Sequence, residues 1–232
     1  MRAREPEAVI FDMDGVIIDS QAAANRALVE AAAKHGVRLA VSELEDLVGA
    51  SAQQFWHYVK ERYRLPEAIG YYAASYDENS EIAGYDETLL SPGLDALLDE
   101  LRAAGISLAL ATSGSRSRMN AVIEMYGLAR WLDVALCGED AEHSKPAPDL
   151  FLAAASQLWV PPAACLVVED SAPGIAAARA AGMTVVGFTA YCAPHSLRRG
   201  ADAYLSRFEG FQLSDVQTLW QGSATPQRSW GD

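Results

Sequence analysis

Five short apolar runs constrain this 232-residue chain more than anything else in it: Ala8 to Phe11, Ile106 to Ala111, Val134 to Leu136, Cys165 to Val168 and Thr184 to Phe188. None alternates apolar with polar residues, as a strand with one wet face would. Unbroken runs of this length, separated by helical patterns, suit strands buried on both faces of a parallel sheet. The stretches between them carry helix punctuation: Ser91-Pro92 opens a segment closed by Gly105, Ser115 one closed by Gly127, and Ser171 one closed by Gly182. Helix starts therefore follow strand ends, the layout of an α/β fold. In an open sheet of that kind ligands gather in the crevice at the carboxyl ends of the strands.

Residues 12–105 separate the first run from the second, far more chain than a crossover helix needs. Within this span residues 21–88 read as helical, with Ala22 to Lys34 ending at Gly36, Ser51 to Tyr63 ending before Pro66, and a third stretch around Ala68 to Glu78. The pattern predicts a small helical cap over 21–88 inserted into a core made of 1–20 and 89–232. Beyond Gln221 the Gly, Ser, Thr and Pro content predicts a frayed end.

Hydrophobic residues make up 50% of the chain, enough for a real core. Asp and Glu outnumber Lys and Arg by 31 to 18, which argues against nucleic acid or an anionic membrane as partner, because both require a positive footprint. The same excess means that an anionic ligand needs a local cation and local donors. Cys137, Cys165 and Cys192 are odd in number and far apart, so neither a disulfide framework nor a zinc site is expected. With no leader-like or membrane-spanning run in view, the expectation is a cytoplasmic protein.

Chemistry concentrates at the run ends. Asp12-Met13-Asp14-Gly15 follows the first run and Glu169-Asp170 follows the fourth. Either pair alone is equally a turn or a helix cap. Together, on neighbouring strands, they would cluster negative charge and call for a hard cation with oxygen ligands, such as Mg²⁺. Thr112-Ser113-Gly114-Ser115, between the second run and a helix, offers hydroxyls and free N–H groups to an anion. Lys145 stands just before a Pro-marked helix start, where a solvated lysine is the default.

The phrases FDMDGVIIDS (11–20), ATSGS (111–115), SKPAPDLF (144–151) and VVEDSAPGIAAARAAGM (167–183) closely resemble, in order and spacing, the four motifs of the haloacid dehalogenase-like hydrolases. The helical insert resembles the cap of the subgroup containing β-phosphoglucomutase and phosphoglycolate phosphatase. The resemblance implies a Rossmann-like sheet of order 3-2-1-4-5 and a Mg²⁺-dependent hydrolysis of a small phosphorylated metabolite. It implies Asp12 as nucleophile and Asp14 as general acid and base. Thr112, Ser113, Gly114 and Lys145 would hold the phosphoryl group. Asp12, the main-chain carbonyl of Asp14, and Asp170 would hold the metal, with Glu169 either a ligand or a brace for the ligands. Asp14 favours phosphoryl chemistry over dehalogenation, since dehalogenases of this kind lack an acid two residues after the nucleophile.

Two other functions remain open at this level. A phosphosugar mutase of the β-phosphoglucomutase type would need a charged clamp in the cap, but Leu47-Val48-Gly49-Ala50-Ser51-Ala52 offers Val48 and Ala52 where Lys and Arg would stand. A non-catalytic phosphometabolite-binding protein would not need every core motif position. Within the cap, Asn25, Arg26, Trp56, His57, Tyr58, Lys60 and Arg62 are candidates to read the substrate.

Overall fold

The structure, a computed structural model, describes residues 5–40, 43, 52–191 and 200–221 and the backbone of 229–230. The chain forms two compact units, Met1–Asp19 with Glu87–Asp232, and Ser20–Asp86.

The larger unit is built on strands β1 (Ala8–Phe11), β2 (Ser107–Ala111), β3 (Val134–Leu136), β4 (Cys165–Glu169), β5 (Thr184–Phe188), β6 (Ala203–Leu205) and β7 (Ser229–Trp230). All pair in parallel, in the order β3-β2-β1-β4-β5-β6-β7. The expected 3-2-1-4-5 order is present and two strands extend it. Ile10 lies between Ala109 and Val167, so β1 is flanked by β2 and β4. Alternate residues of β1 serve opposite faces. Ala8 and Ile10 join Ala109, Phe151, Ala154, Val167, Ile175 and Val185 in one apolar cluster, whereas Val9 and Phe11 line the other side with Leu97, Leu166, Val186 and Phe208. Burial of both faces is why these strands carry no polar alternation, and each large side chain sealed here contributes about 1.5–3 kcal/mol of transfer free energy.

Among the described residues of this unit, helix Leu94–Ala103 packs on β2, Asp149–Gln157 on β1, β2 and β3, and Ala172–Ala180 on β4 and β5, and Arg116–Met125 and Leu213–Trp220 are also helical. Ser115 and Ser171 are N-caps as expected, their hydroxyls accepting from the N–H of Arg118 and Gly174. Ser91 is not: the helix after it begins at Leu94 behind Gly93, and the Ser91 hydroxyl donates to the carbonyl of Val16 at 2.5 Å. Most of the segment after Gln221 lies outside the described residues, but Ser229–Trp230 is ordered as a strand against β6, contrary to a frayed end.

The smaller unit holds helices Gln21–Ala33, Ala52–Tyr63, Ile69–Ala73 and Glu78–Ile82 around Leu28, Ala32, Phe55, Trp56, Val59 and Tyr72. The third helix expected around Ala68 to Glu78 is two short ones. Asp77 takes an extended backbone and accepts from the N–H of Asn79, so it caps a new helix where one continuous helix was predicted. Of the two clamp positions, Val48 lies outside the described residues, as do Gly49, Ala50, Ser51 and Cys192, while Ala52 is exposed at the start of helix Ala52–Tyr63.

Candidate active site

Asp12 leaves the end of β1 with its N–H still donating to Val168 O on β4 at 3.0 Å, so it stays in register beside Glu169 and Asp170. Its side chain is buried. Lys145 reaches it from the loop before helix Asp149–Gln157, with Nζ 2.5 Å from Asp12 Oδ1, 2.9 Å from Glu169 Oε1 and 3.3 Å from the carbonyl of Ala111. The side chain of this lysine, whose default at a helix start would be a solvated position, is buried, 6% exposed, and tied to the ends of β1, β2 and β4 at once.

Glu169 is anchored on its far side by the N–H of Ser171, 2.5 Å from Oε2. Glycine makes room for these acids. A Cβ on Gly174 would lie 1.8 Å from Glu169 Oε1, and one on Gly15 would lie 1.9 Å from Asp170 Oδ2, with Gly15 itself at φ +74°. The Asp-x-Asp-Gly turn thus depends on its glycine for a close approach to β4 as well as for its backbone conformation.

Carboxylate oxygens of Asp12, Glu169 and Asp170 lie within 4.8 Å of one another. Burial pushes the Asp12 carboxyl up to about 7, with Lys145 opposing and Glu169 and Asp14 adding to the rise. Burial likewise pushes Asp170 up to about 8, reinforced by the charges of Asp12, Glu169 and Asp14. Burial alone would lower Lys145, but the Asp12 and Glu169 carboxylates outweigh it and hold its pKa above the ordinary lysine value. One ammonium faces three acids, and the negative excess falls on the carboxylates. Hard oxygen ligands converging with surplus negative charge fit a Mg²⁺ ion.

Thr112 continues β2, its N–H donating to Leu136 O at 3.0 Å. Its buried Oγ1 accepts from the N–H of Gly114 at 2.9 Å, which curls Thr112-Ser113-Gly114 into a tight turn. Gly138 N donates to Gly114 O at 3.0 Å and braces that turn, while Ser113 is exposed. Asp14 is not one of the three clustered acids. Its Oδ1 accepts from Arg118 Nη2 at 2.6 Å. Arg118 is the residue that sequence reasoning passed over, because an arginine in a first helical turn reads as solvated and only the capping serine three residues earlier marks its place.

Each of the cap candidates has a partner in the smaller unit. Trp56 is buried. Tyr58 bonds Glu43 and Arg62 pairs with it, Arg26 donates to Gly84 O, His57 pairs with Glu61, and Asn25 accepts from Gln21. Lys60 Nζ donates to the carbonyls of Leu65, Pro66 and Glu67.

A parallel sheet with paired acids at adjacent strand ends, a buried lysine and a tight Thr112-Ser113-Gly114 turn beside them defines a class, and a family model described as haloacid dehalogenase-like hydrolase matches residues 6–182. The chain belongs to that family. It is 32% identical over 183 residues to a probable pseudouridine-5'-phosphatase of Drosophila melanogaster, covering 76% of this chain and 79% of that protein. CbbY from Rhodobacter sphaeroides in complex with xylulose-(1,5)bisphosphate superimposes with a TM-score of 0.72 at 26% identity, covering 91% of this chain and 99% of that one. A β-phosphoglucomutase from Clostridium difficile does so with 0.73 at 25% identity, covering 93% and 97%. The chain spans only 17% and 60% of the length of two relatives from Arabidopsis thaliana. Among the described residues no helix is long and apolar enough to cross a membrane.

Proposed function

We infer that this chain is a Mg²⁺-dependent phosphomonoester hydrolase acting on a small phosphorylated metabolite through an aspartyl-phosphate. The observation that carries this reading is the buried Asp12, in contact with Lys145 and clustered with Glu169 and Asp170, with a second acid two residues on. The name of one relative, a probable pseudouridine-5'-phosphatase, and the xylulose-(1,5)bisphosphate bound in the CbbY structure support the substrate class. A cytoplasmic location belongs to the same reading.

Asp12 attacks phosphorus, the bond from phosphorus to the ester oxygen breaks, and Asp14 gives that oxygen its proton. Water then attacks the phosphorus of the acyl phosphate and loses a proton to Asp14, releasing inorganic phosphate and restoring Asp12. Lys145, the Thr112 hydroxyl and the N–H groups of Ser113 and Gly114 hold the phosphoryl oxygens. Asp12, Asp170 and the main-chain carbonyl of Asp14, with Glu169 as ligand or brace, would hold Mg²⁺, which would neutralise the charge that spreads over the transferring group.

Hydrolysis is favoured over mutase chemistry because Lys60 and Arg62, basic residues of helix Ala52–Tyr63, are engaged with carbonyls and with Glu43. Release of phosphate from a panel of sugar phosphates, sugar-acid phosphates and nucleoside monophosphates tests both points. Phosphate should appear only with Mg²⁺ and stop on chelation. Glucose 1-phosphate with a trace of its bisphosphate should give little glucose 6-phosphate. Faster isomerisation than phosphate release would replace the hydrolase reading with the mutase.

A further inference from the structure

Arg118 holds Asp14 across 104 positions of sequence, Nη2 to Oδ1 at 2.6 Å, with only 15% of its side chain exposed. Its placement is built from both ends. The Ser115 hydroxyl accepts the N–H of Arg118 at 3.2 Å, which fixes the residue in the first turn of helix Arg116–Met125, and the next residue, Met119, is buried. At the other end a Cβ on Gly114 would lie 3.3 Å from Arg118 Nη1, 3.2 Å from Thr112 Oγ1 and 3.4 Å from Met13 Cε. The guanidinium therefore lies against the anion-binding turn on one side and Asp14 on the other. Arg116 is turned away, its Nη2 on Asp140 at 2.6 Å.

A cation in the first turn opposes the helix dipole, and a half-buried one also loses hydration. A carboxylate partner offsets both. A planar guanidinium also fixes the rotamer of a carboxylate more firmly than a flexible ammonium does. We propose that Arg118 is a positioning residue that holds Asp14 Oδ1 so that the Asp14 carboxyl group, protonated when the ester binds, is oriented to deliver its proton to the leaving oxygen, an assignment that rests on Asp14 being the acid and base as inferred above. Arg118 itself makes and breaks no bond.

The test uses the Mg²⁺-loaded protein and two aryl esters, phenyl phosphate and 4-nitrophenyl phosphate, whose leaving groups differ in their need for a proton. Phenolate release in the first turnover is measured for Arg118→Met, Arg118→Lys, Asp14→Asn and the double variant D14N/R118M. Arg118→Met should slow phenyl phosphate about tenfold more than 4-nitrophenyl phosphate. Arg118→Lys should recover part of the loss, and Arg118→Met should add nothing to Asp14→Asn. Equal losses on the two esters, or losses that multiply in the double variant, would overturn the assignment while leaving Asp14 in place. If Asp14→Asn itself fails to discriminate between the esters, Asp14 is not the acid, and the broader reading falls together with the role of Arg118. Thermal melts of each variant identify any that do not fold, and Arg118→Lys and Arg118→Gln then carry the comparison.

Discussion

Glu81 in the smaller unit and Glu169 in the larger are equally buried carboxylates, each 1% exposed, in opposite surroundings. Glu81 accepts from two phenols, Tyr76 and Tyr85, the latter at 2.8 Å, and its helix neighbour Ser80 donates to Glu30 of helix Gln21–Ala33. Glu169 shares its space with Asp12 and Asp170, and one lysine must serve the group. Neutral donors satisfy a buried acid and leave it structural. Acids crowded beyond their counter-charge store repulsion that a cation or a phosphoryl group with its metal relieves. Burial alone does not mark a functional carboxylate; the balance of charge around it does.

The largest expected effect comes from removing the crowded acid that does the chemistry. Asp12→Asn fills the same space without a nucleophile, so turnover should drop by more than about a thousandfold while far-UV circular dichroism is unchanged. Retention of a tenth of wild-type activity in a preparation free of contaminating phosphatase would remove Asp12 from the mechanism. Next in size is Lys145→Met, which deletes both the hydrogen-bond donor proposed for the phosphoryl oxygens and, among the described residues, the one ammonium in contact with the acids. It should lower kcat/KM by about 10²–10³ and destabilise the metal-free protein by about 3 kcal/mol, with Mg²⁺ restoring part of that stability. A Lys145→Met protein as stable as wild type without metal would mean the acids are not in conflict.

A smaller effect separates the two carboxylate environments by pH. With Asp12 pushed up to about 7 and Asp170 to about 8, the folded metal-free protein binds more protons than the unfolded chain above the ordinary carboxylate range. Its stability at these two sites is therefore greatest below the unfolded carboxylate value and falls as pH rises from about 4 to about 8. Mg²⁺ binds the ionised acids, so its increment in melting temperature should be larger at pH 8 than at pH 6. A Mg²⁺ increment independent of pH would contradict the raised values. The smallest effect is expected at Tyr85→Phe, where loss of one phenol to Glu81 should cost about 1–2 kcal/mol and leave the Mg²⁺ increment untouched.

Much of the larger unit was legible because its strands are buried on both faces and announce themselves as unbroken apolar runs. The acids at the ends of β1 and β4, and the serine caps, follow from those strands by local rules. Three things were not legible. β6, Ala203–Leu205, is too short to carry a pattern. The break at Asp77 depends on a side chain competing for the backbone, which helical periodicity does not register. Arg118 depends on a contact 104 residues away, and nothing local distinguishes it from Arg116, whose partners are Glu139 and Asp140. Lys145 was named from its motif, but its burial between strands comes only from the fold.

The central claim is that Asp12 carries the phosphoryl group. In the Asp14→Asn variant, 4-nitrophenyl phosphate can still phosphorylate Asp12 because its leaving group needs no acid, whereas release of phosphate is starved of a base. Rapid acid quench followed by peptide mass spectrometry should therefore show a burst of 4-nitrophenolate matched by one phosphoryl group on the peptide containing Asp12. Release of 4-nitrophenolate with no phosphoryl group on that peptide at any time after mixing, or with the group on another peptide, would contradict it.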